Sequence, residues 1–220
     1  NTEIKQLGNS FLYLKGTIGS SAAISVPSDL NVHDEVDFSD QEVLSNYESR
    51  LTHSMYKMRR ELSTPTVDNF GISGSFNRSK RKWNFVKCNH CAEWFLPSYF
   101  DHVKVPGYDG DLRGITRDNI DQYRWKEATL LCPKCGKAPD LGPANRQWVL
   151  ENPSENHEAS GYQIQPFDAP AIITPAYLIQ RSTKYRRYAD FVNFNLGLPA
   201  EDKENAITRE EIVSILVQGE

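Results

Sequence analysis

The chain has 220 residues, a formal net charge of −4 and a sequence pI near 5.8. This balance excludes a uniformly basic nucleic-acid-binding protein, so any contact with DNA must come from a local basic patch. No long uninterrupted apolar run is present, which excludes a membrane-spanning helix. The N-terminal sequence has no signal-peptide pattern and no initiator methionine, so we expect a fragment of a longer protein.

The first third of the chain is typical of alternating strands and helices. Phe11–Leu14 predicts a buried strand, and Leu30–His33 and Lys57–Leu62 predict two more. Between the last two, apolar residues at three-to-four spacing predict a helix over Gln41–Met55, with Asp40 as its N-cap. Strand, helix and strand in this order indicate an open parallel sheet of the α/β class.

The same pattern resumes after a cysteine-containing middle segment. Gly161–Phe167 alternates like a strand. Thr174–Leu196 opens with a Thr-Pro pair and predicts a helix that ends at Gly197. A capping-box sequence predicts a last helix from Arg209 to about Val217.

All four cysteines fall into two C-x-x-C pairs, Cys88 with Cys91 and Cys132 with Cys135. Two residues between thiols let one tight turn aim both sulfurs at a metal ion, and a second such turn completes a tetrahedral site. The wide spacing between the pairs fits a zinc ribbon with an inserted loop over Pro97–Glu127. We therefore predict a structural Zn²⁺ site; unpaired structural cysteines and a redox site are the alternatives.

An acidic pair, Asp34 and Glu35, follows the predicted strand in N-V-H-D-E-V-D-F-S-D. In a nucleotide triphosphatase, the first carboxylate of such a pair holds Mg²⁺ and the second takes a proton from the attacking water. The same residues also suit a solvated acidic turn, and no G-x-x-x-x-G-K-[ST] loop occurs in the chain. S-T-P-T (residues 63–66) ends the next predicted strand, where a hydroxyl could sense a γ-phosphate or form a polar turn.

Two segments combine basic and aromatic residues, R-S-K-R-K-W (residues 78–83) and K-Y-R-R-Y (residues 184–188). Both suit phosphate contacts, either with DNA or with the nucleotide of a neighbouring subunit. They equally suit a solvated surface on which lysine and arginine stems cover aromatic rings.

Taken together, these segments resemble the large terminase subunit of tailed phages, in the branch whose ATPase carries a cysteine-rich insertion. The resemblance rests on the order and spacing of F-L-Y-L-K-G-T, V-H-D-E-V-D-F-S-D, R-R-E-L-S-T-P-T, C-N-H-C, C-P-K-C-G, G-Y-Q-I-Q-P-F and D-F-V-N-F-N-L-G-L-P. Terminases of this kind are ATP-driven motors that push DNA into an empty capsid, and a separate nuclease domain cuts the DNA. The resemblance implies an α/β fold, with the later part of a P-loop NTPase-type parallel sheet and an inserted small zinc-ribbon-like module.

The resemblance also implies roles for individual residues. It implies that Asp34 is the Walker B residue for the Mg²⁺ that accompanies ATP, and that Glu35 is the catalytic base. It implies that Ser63, Thr64 and Thr66 belong to a coupling motif that links hydrolysis to movement. The implied partners are double-stranded DNA, the terminase small subunit, the portal protein and further copies of the chain in a ring. The implied location is the cytoplasm of the infected bacterium, with no membrane.

Four segments are expected along the chain. They are an ATPase core segment with the Walker B and coupling motifs (1–86), a zinc-binding insertion (87–137), a return to the ATPase core (138–200) and a linker helix toward a nuclease domain (201–220). Because the chain lacks a phosphate-binding loop and a nuclease carboxylate cluster, we expect it alone neither to hydrolyse ATP nor to cut DNA.

Two rival interpretations remain open. One is a non-catalytic zinc-ribbon module that binds nucleic acid or protein, in which the acidic pair is a surface turn. The other is a helicase-type ATPase fragment, against which the cysteine insertion and the L-G-L-P segment argue.

Overall fold

A computed structural model describes residues 4–17, 26–154 and 157–201. The chain divides into two compact units, the first ending at Thr64 and the second beginning at Pro65. Both contain helices and small sheets, so the chain is a mixed α/β protein, as the sequence predicts. None of the helices in the described ranges is long and apolar enough to cross a membrane.

The first unit contains a β-hairpin, a two-stranded sheet and one α-helix. Its elements are β1 (Ile4–Leu7), β2 (Ser10–Tyr13), β3 (Leu30–His33), α1 (Gln41–Glu48) and β4 (Met58–Glu61). β1 and β2 pair antiparallel, whereas β3 and β4 pair in parallel with Leu30 opposite Met58 and His33 opposite Glu61. Strand, helix and parallel strand therefore follow one another as predicted.

Two predictions for this unit need correction. The strand at Ser10–Tyr13 is exposed rather than buried, because it forms one side of a hairpin whose residues all remain accessible. The helix predicted over Gln41–Met55 ends at Glu48 and continues as a short 3-10 turn to Leu51. Asp40 is the N-cap as predicted, since its carboxylate accepts hydrogen bonds from the second and third backbone N–H groups that follow it.

The second unit contains a four-stranded mixed sheet, a two-stranded antiparallel sheet of β7 and β8, and several short helices. Its elements are α2 (Gly71–Asn77), β5 (Lys80–Lys87), β6 (Trp94–Phe95), α3 (Tyr99–His102), β7 (Val103–Lys104), β8 (Thr129–Leu130), β9 (Arg146–Leu150), β10 (Ser160–Gln163), α4 (Pro175–Ser182) and α5 (Tyr188–Phe191). β5 pairs in parallel with β10 and antiparallel with β6 and β9. Within the described ranges, parallel pairing is limited to β3 with β4 and β5 with β10. A larger P-loop-type sheet stays a prediction.

The long helix predicted over Thr174–Leu196 is interrupted. Thr174 is its N-cap as predicted, but α4 stops at Ser182, and helical structure resumes with α5 and a π-helical turn over Val192–Leu196. The break lets the Tyr185 hydroxyl accept hydrogen bonds from side chains on both helical segments. Gly197 ends the segment in a left-handed conformation with φ of 65°, as predicted. The predicted helix over 209–217 lies outside the described residues.

One apolar core joins the cysteine-rich segment to the helices that follow it. Cys88 and Cys132 belong to the same buried cluster as Val86 on β5, Leu178 on α4 and Phe191 on α5. The segment predicted as a separate insertion therefore shares its core with the flanking sequence.

Candidate functional site

The two C-x-x-C pairs form turns with the same backbone hydrogen bonds. In the first turn, the N–H of Ala92 donates to the carbonyl of Cys88 at 2.8 Å, and the N–H of Cys88 donates to the carbonyl of Glu93 at 2.8 Å. In the second turn, the N–H of Gly136 donates to Cys132 at 3.0 Å, and the N–H of Cys132 donates to Lys137 at 2.9 Å. The repeated pattern points all four thiols toward one position.

Each turn also needs one residue with a left-handed backbone, directly after its second cysteine. The φ angles are 61° at Ala92 and 66° at Gly136. Glycine adopts this conformation without a Cβ clash, whereas alanine does not. The glycine of C-P-K-C-G is readable from the sequence, but the first turn carries the same geometry on an alanine that sequence reasoning missed.

The four sulfur atoms form a cluster of the right size for a tetrahedral metal site. Cys88 Sγ lies 3.7 Å from Cys135 Sγ, and Cys91 Sγ lies 3.7 Å from Cys132 Sγ. All four sulfurs lie within 4.8 Å of one another, and none forms a disulfide. Four thiolates at the usual Zn–S distance of about 2.3 Å are separated by roughly 3.8 Å. The residues present therefore fit Zn²⁺.

The pKa values of the Cys88 and Cys91 thiols are shifted in opposite directions. Burial raises the pKa of Cys88, but hydrogen bonds from the backbone N–H groups of His90 and Cys91 outweigh it and bring the pKa to about 6. At Cys91 the backbone N–H of Glu93 lowers the pKa, yet burial and the neighbouring thiols prevail and raise it to about 12. A metal ion binds cysteine as the thiolate, so a bound divalent cation would displace protons from the cluster.

Two histidines of the segment have partners outside the sulfur cluster. His90 Nε2 lies 3.0 Å from the carbonyl of Ala138, and His102 Nδ1 accepts a hydrogen bond from the backbone N–H of Ser98 at 3.0 Å. The cysteines alone make up the one metal-ligating group found among the described residues. We therefore count four thiolates, and no imidazole, as candidate ligands.

The acidic pair lies where two parallel strands end. Asp34 and Glu35 follow β3 directly and are both exposed. Glu35 has a left-handed backbone with φ of 54°, and its N–H donates to Asp34 Oδ1 at 3.1 Å. A glutamate in this conformation is uncommon, and such outliers are enriched at functional sites.

Hydrogen bonds hold the acidic segment against the end of β4. The N–H of Leu62 donates to the carbonyl of His33 at 2.9 Å, and the N–H of Val36 donates to the carbonyl of Leu62 at 3.3 Å. The Ser63 hydroxyl accepts from the N–H of Asp37 at 3.1 Å and donates to the carbonyl of Thr64 at 3.2 Å. The structure therefore brings Ser63 to the loop that begins with Asp34 and Glu35.

The two threonines of S-T-P-T have different positions. Thr64 is the last residue of the first unit, and Thr66 lies in the second unit, where its carbonyl accepts from the N–H of Ala200 at 2.9 Å. Ser63, the first residue of S-T-P-T, and the preceding Leu62 form hydrogen bonds with the acidic loop. The buried Asp37, whose backbone completes this contact, was not singled out from the sequence because its side chain resembles any other member of an acidic run.

In each of the two basic and aromatic segments, one arginine forms an ion pair. In residues 78–83, Arg81 pairs with Glu151, with 3.2 Å between Nε and Oε2, whereas Lys82 lies over the ring of Tyr162. In residues 184–188, Arg187 forms an ion pair with Asp190 at 2.6 Å. Part of each segment is thus neutralised, as the solvated-surface interpretation expects.

Comparison with known proteins identifies the family. No curated protein and no solved structure matches the chain. A family model described as "Phage terminase large subunit gpA, ATPase domain" matches residues 2–151. This range includes the acidic pair, S-T-P-T and all four cysteines. The chain therefore belongs to the family of the phage terminase large subunit gpA ATPase domain.

Proposed function

We propose that this chain is part of an ATP-driven motor that moves double-stranded viral DNA into a procapsid. The observation that carries the proposal is the family match over residues 2–151, which names an ATPase domain of a phage terminase. The position of Asp34 and Glu35 supports it. Both residues follow directly after β3, at the carboxyl end of a strand that pairs in parallel with β4. In parallel α/β sheets, ligands bind outside the carboxyl ends of the strands.

In this proposal the two carboxylates have separate roles. Asp34 would hold Mg²⁺, which when bound neutralises charge on the phosphates of ATP. Glu35 would accept a proton from the attacking water. Both side chains are exposed and acidic, so they suit a hard cation and a water molecule. The left-handed backbone at Glu35 directs consecutive side chains away from a regular strand pleat.

Ser63 supports the proposed coupling role of S-T-P-T. Its hydroxyl joins the acidic loop to the end of β4 through the N–H of Asp37. A shift of the acidic loop would therefore be transmitted to residue 63 and to the chain that follows. We extend the coupling role to Thr64 and Thr66 on the family resemblance alone.

Hydrolysis also requires a phosphate-binding loop, and the chain has no G-x-x-x-x-G-K-[ST] sequence. We infer that the complete motor combines the acidic loop with such a loop, and that the chain alone does not hydrolyse ATP. A portal protein, a terminase small subunit and further copies of the chain in a ring are the partners that a packaging motor in the bacterial cytoplasm requires. Cleavage of DNA would belong to a nuclease domain of the same large subunit.

The cysteine cluster has a structural role in this proposal. Four thiolates fill every position of a tetrahedral Zn²⁺ ion, so no position is left for water or substrate. Two of the four cysteines are buried in the core that also contains Leu178 and Phe191. Zinc would thus link two turns of the second unit and supply folding free energy rather than chemistry.

The decisive test is ATP hydrolysis by the large subunit that contains this sequence and a phosphate-binding loop. We expect Glu35→Gln to lower kcat by roughly 10²- to 10⁴-fold, because the amide cannot accept the proton of the attacking water. Glu42→Gln is the matched control, since Glu42 is an exposed carboxylate on α1 of the same unit. Its turnover should stay within twofold of wild type, which is roughly the margin of an unperturbed surface residue. Unchanged turnover in Glu35→Gln would reject the catalytic role and favour the non-catalytic binding module.

A further inference from the structure

One face of the sheet in the second unit carries lysines and aromatic rings side by side. β5 lies between β10 and β9, and Lys82 stands opposite Tyr162 on one side and Leu150 on the other. Residues directly opposite share a face, and side chains alternate along each strand. Lys80 and Lys82 therefore share one face with Tyr162 and with Trp148. These four residues form the lysine–aromatic face.

Three side chains of this face contact one another, and both aromatic rings remain accessible. Lys82 Nζ donates to the Tyr162 hydroxyl at 2.8 Å and lies 4.6 Å from the centre of its ring. The rings of Trp148 and Tyr162 meet edge to face, with 5.2 Å between their centres. Trp148 is 40% exposed and Tyr162 is 52% exposed. Large aromatic rings are thus held in place by neighbours while their outer surfaces face solvent.

On the opposite face of the same strands, helix α2 covers part of β5 and β10. Trp83 on that face packs edge to face against Phe76 of α2, with 5.3 Å between ring centres, and its Nε1 donates to Glu151. A side chain at Gly161 would collide with Ser79 and Phe76, which shows how closely α2 approaches. Helix α2 therefore approaches the sheet from the side opposite the lysine–aromatic face.

Arg81 differs from the two lysines in how its charge is compensated. Arg81 lies on the opposite face and pairs with Glu151. Among the residues that the structure describes, no carboxylate forms an ion pair with Lys80 or Lys82. The exposed face thus has uncompensated positive charge in a protein whose net charge is −4. Its ligand should carry negative charge and flat apolar surfaces together.

We propose that the lysine–aromatic face binds single-stranded DNA, with Lys80 and Lys82 contacting phosphates and unpaired bases stacking on Trp148 and Tyr162. A single strand presents phosphates and the faces of its bases at once, whereas a duplex keeps its base faces stacked inside. The inference rests on the proposed function for the choice of DNA and goes beyond it, because the motor moves double-stranded DNA whereas this face is assigned to a separated strand.

The test is binding of fluorescein-labelled oligothymidine of roughly 20 nucleotides to the 220-residue chain, followed by fluorescence anisotropy without ATP. We expect Trp148→Ala and Tyr162→Ala each to raise Kd about tenfold, because each removes one stacking surface. Tyr162→Phe keeps the ring and should retain wild-type affinity. Changing Lys80 and Lys82 to Gln should reduce the slope of log Kd against log salt by about 1.4, which corresponds to two lost phosphate contacts.

The matched control is a second exposed tryptophan beside a lysine. Trp94 is 41% exposed, and Lys87 Nζ lies 5.9 Å from the centre of its ring, but neither belongs to the lysine–aromatic face. Trp94→Ala should therefore leave Kd unchanged.

The proposal is overturned if wild type does not bind oligothymidine, if Trp94→Ala weakens binding as much as Trp148→Ala, or if a duplex of equal length binds more tightly. Circular dichroism excludes misfolding of each variant, and the lysine variants test the face even if an alanine variant does not fold. Because the assay contains no ATP, these outcomes do not depend on the Glu35→Gln result.

Discussion

The two compact units hold their candidate sites in place by different means. In the second unit, two of the four cysteines are buried in a large apolar core, and two turns with matching hydrogen bonds aim all four thiols at one another. In the first unit, Asp34 and Glu35 are exposed, and a few hydrogen bonds to Leu62 and Ser63 fix the loop that carries them. A structural metal site needs a fixed, dry position, whereas a site that exchanges a nucleotide must stay accessible. We therefore expect the first unit to have the lower free energy of unfolding of the two.

Removal of zinc should have the largest effect on stability. It should destabilise the second unit much more than the first. All four tryptophans of the chain follow Pro65, so tryptophan fluorescence reports on the second unit alone. We expect a chelator, or Cys132→Ser, to destabilise that unit by several kcal/mol, because metal binding supplies folding free energy. Amide hydrogen exchange in β3 and β4 should change much less.

The metal content distinguishes this outcome from general instability. Elemental analysis should find about one zinc per chain in wild type, as four thiolate ligands require. Re-addition of Zn²⁺ should restore the chelated wild type but not Cys132→Ser. A metal-free protein with native fluorescence and cooperative unfolding would contradict the structural role of the cysteines.

The two cysteine turns provide a finer comparison inside the second unit. Both place a left-handed residue after the second cysteine, but one uses Ala92 and the other Gly136. We expect Gly136→Ala to cost about 1 kcal/mol and Ala92→Gly to gain up to about 1 kcal/mol, since alanine is strained at positive φ. Space does not contribute at Gly136, because no atom lies within 4 Å of an added Cβ. Urea unfolding followed by tryptophan fluorescence at saturating Zn²⁺ measures both.

Gly107 is the matched control for this pair. It has φ of 84° and equally free space around an added Cβ, but it lies outside the cysteine turns. Gly107→Ala should cost a similar free energy of unfolding without changing zinc affinity, whereas Gly136→Ala should also weaken zinc binding. Loss of stability in Ala92→Gly would show that the alanine side chain has a packing role that outweighs its backbone strain.

The sequence predicts local features better than it predicts their surroundings. The N-caps at Asp40 and Thr174 and the stop at Gly197 depend on one residue and its immediate neighbours, and the structure confirms them. The four-cysteine cluster also follows from spacing within each turn. Burial of Phe11–Leu14 was wrong because an apolar run does not specify what covers it. The break between α4 and α5 was missed because helical spacing continues through residues that instead form a tyrosine hydroxyl network.

The candidate acidic site shows the same limit. The end of β3 and the adjacent pair of carboxylates are readable from residue order, and so is the neighbouring strand that ends near Ser63. The left-handed backbone at Glu35 and the hydrogen bond from Asp37 to Ser63 depend on how the loop closes between two parallel strands. No single residue in N-V-H-D-E-V-D-F-S-D signals that closure.

Low pH should destabilise the first unit through protonation of His33. This is the smallest of the three expected effects on stability, because only one side chain titrates. His33 is buried on β3 with its ring edge-on to Tyr47, and its Nε2 has no hydrogen-bond partner in the part of the chain that the structure describes. Burial lowers the pKa of His33 below 6.5, and the Arg59 cation lowers it further, although Glu61 and Glu48 oppose both. As the pH falls below 6.5, the unfolded unit takes up a proton before the folded unit does. The free energy of unfolding should therefore decrease from that pH down to the folded-state pKa and then level off.

Hydrogen exchange of β3 and β4 between about pH 7.5 and about pH 5, corrected for intrinsic rates, measures this dependence. His33→Phe keeps a ring against Tyr47 but cannot take up a proton, so its exchange protection should vary less with pH than that of wild type. His53→Asn is the control, because His53 is an exposed histidine of the same unit and its loss should leave the wild-type dependence intact. If His33→Phe retains the full pH dependence, protonation of His33 does not set the acid sensitivity of the first unit. The buried strand β3 would then not be the element through which acid destabilises the proposed catalytic site.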